Sequence, residues 1–303
     1  MKQTSIYRLI LPVVVLLLGA SCSDWTETEN IDNTVLKPWE QDPALWADYT
    51  AALRAYKASE HYLSYARLHN SPSPAASEQD FMRCLPDSLD IVTLTNADNF
   101  SAYDAEDMAA MREKGTRVLY QVDYATRKAE FSGEAALKTY LDGVIAAVAA
   151  NGLDGYSFTT DPLDAAATAT IVATLSAARS DGQLLVFEGN PLSVAAADRA
   201  KLDFVVLDTE KAENTTEVQL LVLNATGYAG IAPEKLLLAA EIDAPLQDED
   251  RTEYAAVEAI ARCVVEYGPL AGFAAYNIAG DYYHAEMNYQ TIRTAIQTLN
   301  PSK

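Results

Sequence analysis

Short runs of apolar, β-branched and aromatic residues alternate along this chain with longer stretches whose apolar positions recur every three or four residues. The first pattern marks a strand buried on both faces, the second an amphipathic helix. Leu45, Trp46, Tyr49, Leu53 and Tyr56 predict a helix over residues 43–58, followed by a strand over 61–68. A short helix over 78–85 leads to a strand over 89–95, and a helix carrying Met108 and Met111 leads to a strand over 117–123. Leu137, Tyr140, Leu141, Ile145 and Val148 share one side of a helix over 134–150, which Asn151 and Gly152 stop. Further strands are expected at 155–161, 184–188, 202–208, 235–242 and 272–278, with a closing helix at 287–299. Residues 217–223 fit either element and are assigned to helix, because a strand there would break the alternation. Strands alternating with helices imply the α/β class and a parallel sheet. Eight strands in about 250 residues suit a single (β/α)8 TIM barrel over 46–303 with no inserted domain. A barrel of this kind carries its site at the carboxyl ends of its strands. Those ends fall near residues 68–70, 95–96, 123–124, 159–161, 188–190, 208–210, 241–243 and 276–277.

The first residues belong to no part of that barrel. Lys2 and Arg8 flank the start of an apolar run from Leu9 to Leu18, and Gly19, Ala20 and Ser21 lead into Cys22. This is the form of a signal peptide over 1–21, too short to span a bilayer as a helix. The small residues before Cys22 resemble a lipobox, in which the cysteine becomes the lipidated first residue. The plain alternative is an ordinary signal peptide with a chance cysteine. Ser23, Asp24, Glu27 and Glu29 resemble the acidic export signal of outer-surface lipoproteins in some Gram-negative bacteria, or form a plain solvated tether over 22–45. A lipid-anchored outer-membrane protein facing outwards is the expectation.

Charge narrows the partners. The chain carries −21 at pH 7, and loss of a leader holding Lys2 and Arg8 makes it more negative by two. That disfavours nucleic acid and anionic membrane surfaces. Cys84 and Cys263 lie in amphipathic segments and read as free, buried thiols. No CxxC or HExxH spacing occurs, and His61, His69 and His284 are scattered, so neither metal nor other cofactor is expected.

The strand at 155–161 carries the chemistry. Residues 153–161 read LDGYSFTTD, which resembles the D-G-x-D-x-D-x-E strand of glycoside hydrolase family 18. Asp154 and Gly155 match. Ser157 and Thr159 stand where that family has aspartates, and Asp161 stands at its catalytic glutamate. Weaker similarities to the lipoprotein branch holding endo-β-N-acetylglucosaminidases recur in order at residues 85–92, 115–119, 233–236, 276–278 and 289–301. The resemblance implies a mechanism in which the glutamate protonates the leaving oxygen and the substrate's own acetamido group attacks. The preceding aspartate orients that group, and a tyrosine after strand six, here aligned with Thr209, holds its oxygen. Thr159 supplies no negative charge, and Asp161 is one methylene short, a displacement of about 1 Å that costs on the order of 100-fold at a reacting centre. No catalytic position is intact.

Alternation places Ser157, Thr159 and Asp161 in the barrel interior and Tyr156 and Phe158 against the helices. The interior hydroxyls fit either a site for neutral sugar hydroxyls or a filled centre. Tyr276 aligns with the family's aromatic floor beneath the sugar, or is a packed barrel tyrosine. Trp25, Trp39 and Trp46 all precede the first strand, so stacking in the barrel falls to other rings: Tyr124, Tyr276, Tyr282 and Tyr283. Asn96, Asn190 and Asn277 are candidate hydrogen-bonders, and Asp161, Glu188, Asp208 and Glu241 candidate carboxyls for a glycan. The leading expectation is a non-catalytic glycan-binding surface lipoprotein that passes oligosaccharide to an outer-membrane transporter. The alternatives are a re-tooled hydrolase using Asp161 and a structural docking subunit.

Overall fold

The computed structural model describes residues 36–301. The leader, Cys22 and the greater part of the tether lie outside the described residues. Contacts divide the chain between Trp46 and Ala47, and the barrel belongs to the second unit.

Eight parallel strands close on themselves in sequence order: β1 (Leu63–Leu68), β2 (Ile91–Leu94), β3 (Arg117–Asp123), β4 (Gly155–Thr159), β5 (Leu184–Glu188), β6 (Phe204–Leu207), β7 (Leu236–Glu241) and β8 (Gly272–Tyr276). β8 pairs back onto β1 through Leu63 and Gly272. Besides single-turn helices at Pro38–Gln41 and Tyr124–Arg127, the helices are α1 (Pro43–Lys57), α2 (Ala102–Lys114), α3 (Glu134–Asn151), α4 (Ala165–Ala178), α5 (Ala196–Arg199), α6 (Thr215–Leu223), α7 (Ala256–Glu266) and α8 (Gln290–Leu299). This is the expected (β/α)8 architecture, and residues 217–223 are helical. Among the described residues no helix is long and apolar enough to cross a membrane.

Three local expectations change. The segment between β1 and β2 holds two 3₁₀ turns, Glu78–Asp80 and Met82–Cys84, where one helix is predicted. Pro86 holds Leu85 extended (ψ 152°) and stops any helix there. A two-stranded hairpin, Pro245–Gln247 with Glu253–Ala255, follows β7, where the apolar pattern assigned no element. β4 ends at Thr159, so Asp161 lies beyond the strand. Pro162 follows it, and the Asp161 carboxylate accepts the Leu163 backbone N–H at 2.8 Å, a turn that leaves the sheet.

The core has two layers. Tyr156 and Phe158 of β4 pack in the layer between sheet and helices with Leu141, Ile171 and Phe187. Tyr65, Ile91, Leu119, Val186, Val206, Leu237, Ala239 and Tyr276 fill the lumen. Tyr156 and Phe158 face the helices and Ser157 the lumen, as predicted, whereas Asp161, expected in the interior, lies on the turn beyond β4.

Gly155 and Gly272 open β4 and β8 at φ +134° and +158°. A Cβ at either would run into backbone of the neighbouring strand, at Leu184 and Leu63 respectively. Beside Gly155, Asp154 accepts the Val118 N–H of β3 at 2.8 Å. Asp90 takes the Ser64 N–H of β1 and Asp203 the Leu185 N–H of β5 in the same way, both at 2.8 Å. Three carboxylates thus satisfy strand N–H groups at the amino-terminal rim.

Candidate functional site

The lumen is polar at its middle and upper levels. Thr93 of β2 and Ser157 of β4 share a hydrogen bond of 2.6 Å, and both are fully buried. Above them Glu188, at the end of β5, has a side chain with no solvent exposure. It accepts from the Tyr65 hydroxyl at 2.9 Å and from the Gln121 amide at 3.0 Å on one oxygen, and from Arg67 Nε at 2.5 Å on the other. The Arg67 guanidinium lies over the Tyr276 ring, 3.5 Å from its centroid. Burial pulls the Arg67 pKa down, but Glu188, Tyr276 and Tyr65 more than offset it and hold the group above its ordinary value. Burial and then Glu188 push the Tyr65 and Tyr276 hydroxyls well above the phenol range, so both are neutral donors.

The end of β4 is engaged elsewhere. Thr159 pairs with Asp123 in the β3–β4 register. Its hydroxyl donates to Asp123 Oδ1 at 2.7 Å and accepts the Ala125 N–H at 3.0 Å. Asp123 also takes the Thr126 backbone N–H and hydroxyl, so both its oxygens are occupied. Asp161 meets Lys128 Nζ at 2.8 Å. That hydrogen bond, with the one from Leu163, holds its carboxyl below the usual carboxylate range. A general acid near neutral pH needs the opposite shift. Asp164 accepts the Tyr124 hydroxyl at 2.7 Å, which ties the β3 and β4 loops together.

At the end of β6, Thr209 is buried and donates to the Ala239 carbonyl of β7 at 2.7 Å, so its hydroxyl faces sheet backbone. Burial raises the pKa of Asp208 and, beside it, of Glu210, whose Oε2 is buried without a partner. Glu241 closes β7 directly beside Tyr276 in register and is half-buried. Asn96 spends its amide on the Asn70 carbonyl and its carbonyl on Asn99, and Asn190 caps Leu192. Asn277 is exposed, in the left-handed conformation at φ 57°.

The aromatic candidates separate by exposure. Tyr124, Tyr276 and Tyr282 are buried, and the Tyr282 hydroxyl donates to Glu78 at 2.5 Å. Tyr283, next to Tyr282 in the β8 loop, is 67% exposed. The strand-end face therefore brings together Arg67, Glu188, Glu210, Glu241 and Tyr276 around the lumen, with Asn277 and Tyr283 at the rim. Sequence reasoning missed Arg67 as a member of this group. Strand parity from Tyr65 marks it as inward-facing, and that was the available signal. Both remaining cysteines, half-buried Cys84 and buried Cys263, are free thiols.

The fold defines the class, a (β/α)8 barrel, and comparison with known proteins finds it similar to the family 18 glycoside hydrolases. Residues 26–144 match the family model described as "Glycoside hydrolase family 18, BT1044-like". A solved selenomethionine variant of BT1044 superposes with a TM-score of 0.67 at 17% identity, over 88% of this chain and 94% of that one. An endo-beta-N-acetylglucosaminidase from Cordyceps militaris gives 0.62 at 16%, over 84% and 96%. YKL-39, solved in the presence of chitooligosaccharides, gives 0.61 at 11%, over 80% and 100%. At such identities the likeness to these structures is one of fold. No curated protein sequence matches.

Proposed function

We propose that the protein is a non-catalytic glycan-binding lipoprotein, anchored through Cys22 to the outer membrane and facing outwards, which captures N-glycan or other GlcNAc-containing oligosaccharide for an uptake complex. The observation that carries the non-catalytic reading is the end of β4. Asp161 sits on a turn beyond the strand, paired with Lys128 and held in its ionised form. Thr159 in front of it brings no charge of its own. The glycan part is supported by the family model over residues 26–144 and by a fold shared with a protein solved with chitooligosaccharides. The export and anchoring part is supported by the leader, Cys22 and the acidic residues after it.

Titration of the purified mature protein with N-glycans and chitooligosaccharides, run alongside a reducing-end release assay, tests this. Saturable binding without turnover is expected, unchanged in turnover by Asp161→Asn. Absence of binding to every glycan removes the reading.

A second reading, slow hydrolysis by a re-tooled carboxyl group, has one observation in its favour: the Asp123 carboxylate stands in contact with Thr159. Turnover abolished by Asp123→Asn would establish it in place of the first.

A further inference from the structure

Arg67 occupies an unusual place for a long, mobile side chain. Its guanidinium covers the Tyr276 ring at 3.5 Å, and its Nε is fixed to a carboxylate with no solvent exposure. Glu188 is itself held by Tyr65 and Gln121, donors from β1 and β3. Arg67 is thus clamped on both sides, by an aromatic face and by a hydrogen-bonded anion. Planar stacking and a directed N–H suit arginine to such a position, and lysine to neither. A pyranose ring stacks on an aromatic ring at the same distance that the guanidinium now takes. Displacing Arg67 would strand Glu188 as an uncompensated charge inside the barrel, so ligand binding does not readily move it.

We propose that Arg67 is a resident plug, standing on the Tyr276 face in place of a sugar ring, which closes the lumen to carbohydrate and confines recognition to the exposed rim around Asn277 and Tyr283. The inference deepens the glycan-binding reading and uses the same strand-end face, but its own test does not depend on that reading. It makes Arg67 a specificity-determining residue: the pair with Glu188 decides that no monosaccharide unit enters the barrel.

Chitotetraose binding by the mature protein, measured by titration calorimetry, provides the test. Arg67→Ala is combined with Glu188→Gln so that no unpaired carboxylate is left in the lumen, and Arg67→Lys serves as a variant that keeps the charge but not the stack. The double variant is expected to gain at least 10-fold in association constant over the wild type, and adding Tyr276→Leu to it is expected to abolish that gain. In the wild type, Tyr276→Leu alone is expected to change binding by less than 2-fold. A cooperative thermal transition certifies each variant as folded. The proposal is overturned by folded opened variants that gain nothing, or by a wild type that loses 10-fold or more with Tyr276→Leu. Tyrosine-ring NMR of the wild type reads the same point without mutation: a shifted Tyr276 resonance at saturating chitotetraose overturns it, and an unmoved one supports it. A wild type that binds no glycan, with a double variant that does, sinks the glycan-capture function and leaves the plug standing.

Discussion

Asp154 and Gly155, the two residues of β4 and its approach that match the family 18 strand pattern, do architectural work. Gly155 sits at φ +134°, where a Cβ would strike the backbone of Leu184, and Asp154 holds the Val118 N–H. Gly155→Ala is expected to cost about 2–6 kcal/mol, since backbone strain and overpacking each contribute about 1–3; a urea midpoint shift measures it. The polar residues that follow on the same segment each have a partner: Ser157 with Thr93, Thr159 with Asp123, Asp161 with Lys128. The departure of these positions from the family 18 pattern was legible in the sequence because it rests on residue identity alone. The partners were not, because each lies on another strand or loop at least 33 residues away. Glu188 was recognisable as a strand-end acid, but nothing in its neighbourhood in sequence announces Arg67, 121 residues earlier.

Helix and strand placement followed from apolar spacing in many of the longer segments, though α4 and α7 were not individually assigned from it. α3 and β5 illustrate this: one carries four buried residues on a single face, and the other is a continuous apolar run bounded by polar residues. The short 3₁₀ turns after β1 and the hairpin after β7 have too few residues for a period, and local prolines and polar turns decided them. The aspartates at the starts of strands are a device at this scale. Asp203→Ala leaves the Leu185 N–H without its acceptor and Arg179 without its partner, and is expected to cost about 1–3 kcal/mol in chemical denaturation. Asp90 serves both the Ser64 N–H and the ring of His61, 3.0 Å away. The hydrogen bond to Asp90, against a smaller opposing effect of burial, raises the His61 pKa above its ordinary value. A raised folded pKa adds stability that is complete below the unfolded value of ~6.5 and is lost as pH rises through the folded value. The stability difference between wild type and His61→Gln is therefore expected to shrink from pH 5.5 to pH 9. A difference that stays flat across that range would show that the ring acts by packing alone.

Taken as a whole, the molecule is strongly acidic, with 43 acidic and 22 basic residues. Self-repulsion on this scale opposes the compact state and is screened within about 10 Å at 0.1 M salt. The melting temperature is expected to rise by a few degrees between about 10 and 300 mM NaCl, and differential scanning calorimetry reads the change. Closure of the sheet is also a whole-molecule property: β1 meets β8 across nearly the full length of the barrel domain. The sequence by itself determined the α/β class, the number and order of the barrel strands, the outward face of Tyr156 and Phe158, and which residue types stand on β4 where the family 18 pattern has acids. These follow from periodicity and residue type, which are local. Only the tertiary structure decided what the inward groups touch, because contacts across a lumen depend on strand register and on the closing of the ring. Arg67 lies on Tyr276 and binds Glu188 because β1, β5 and β8 surround one small space, and no spacing along the chain encodes that distance.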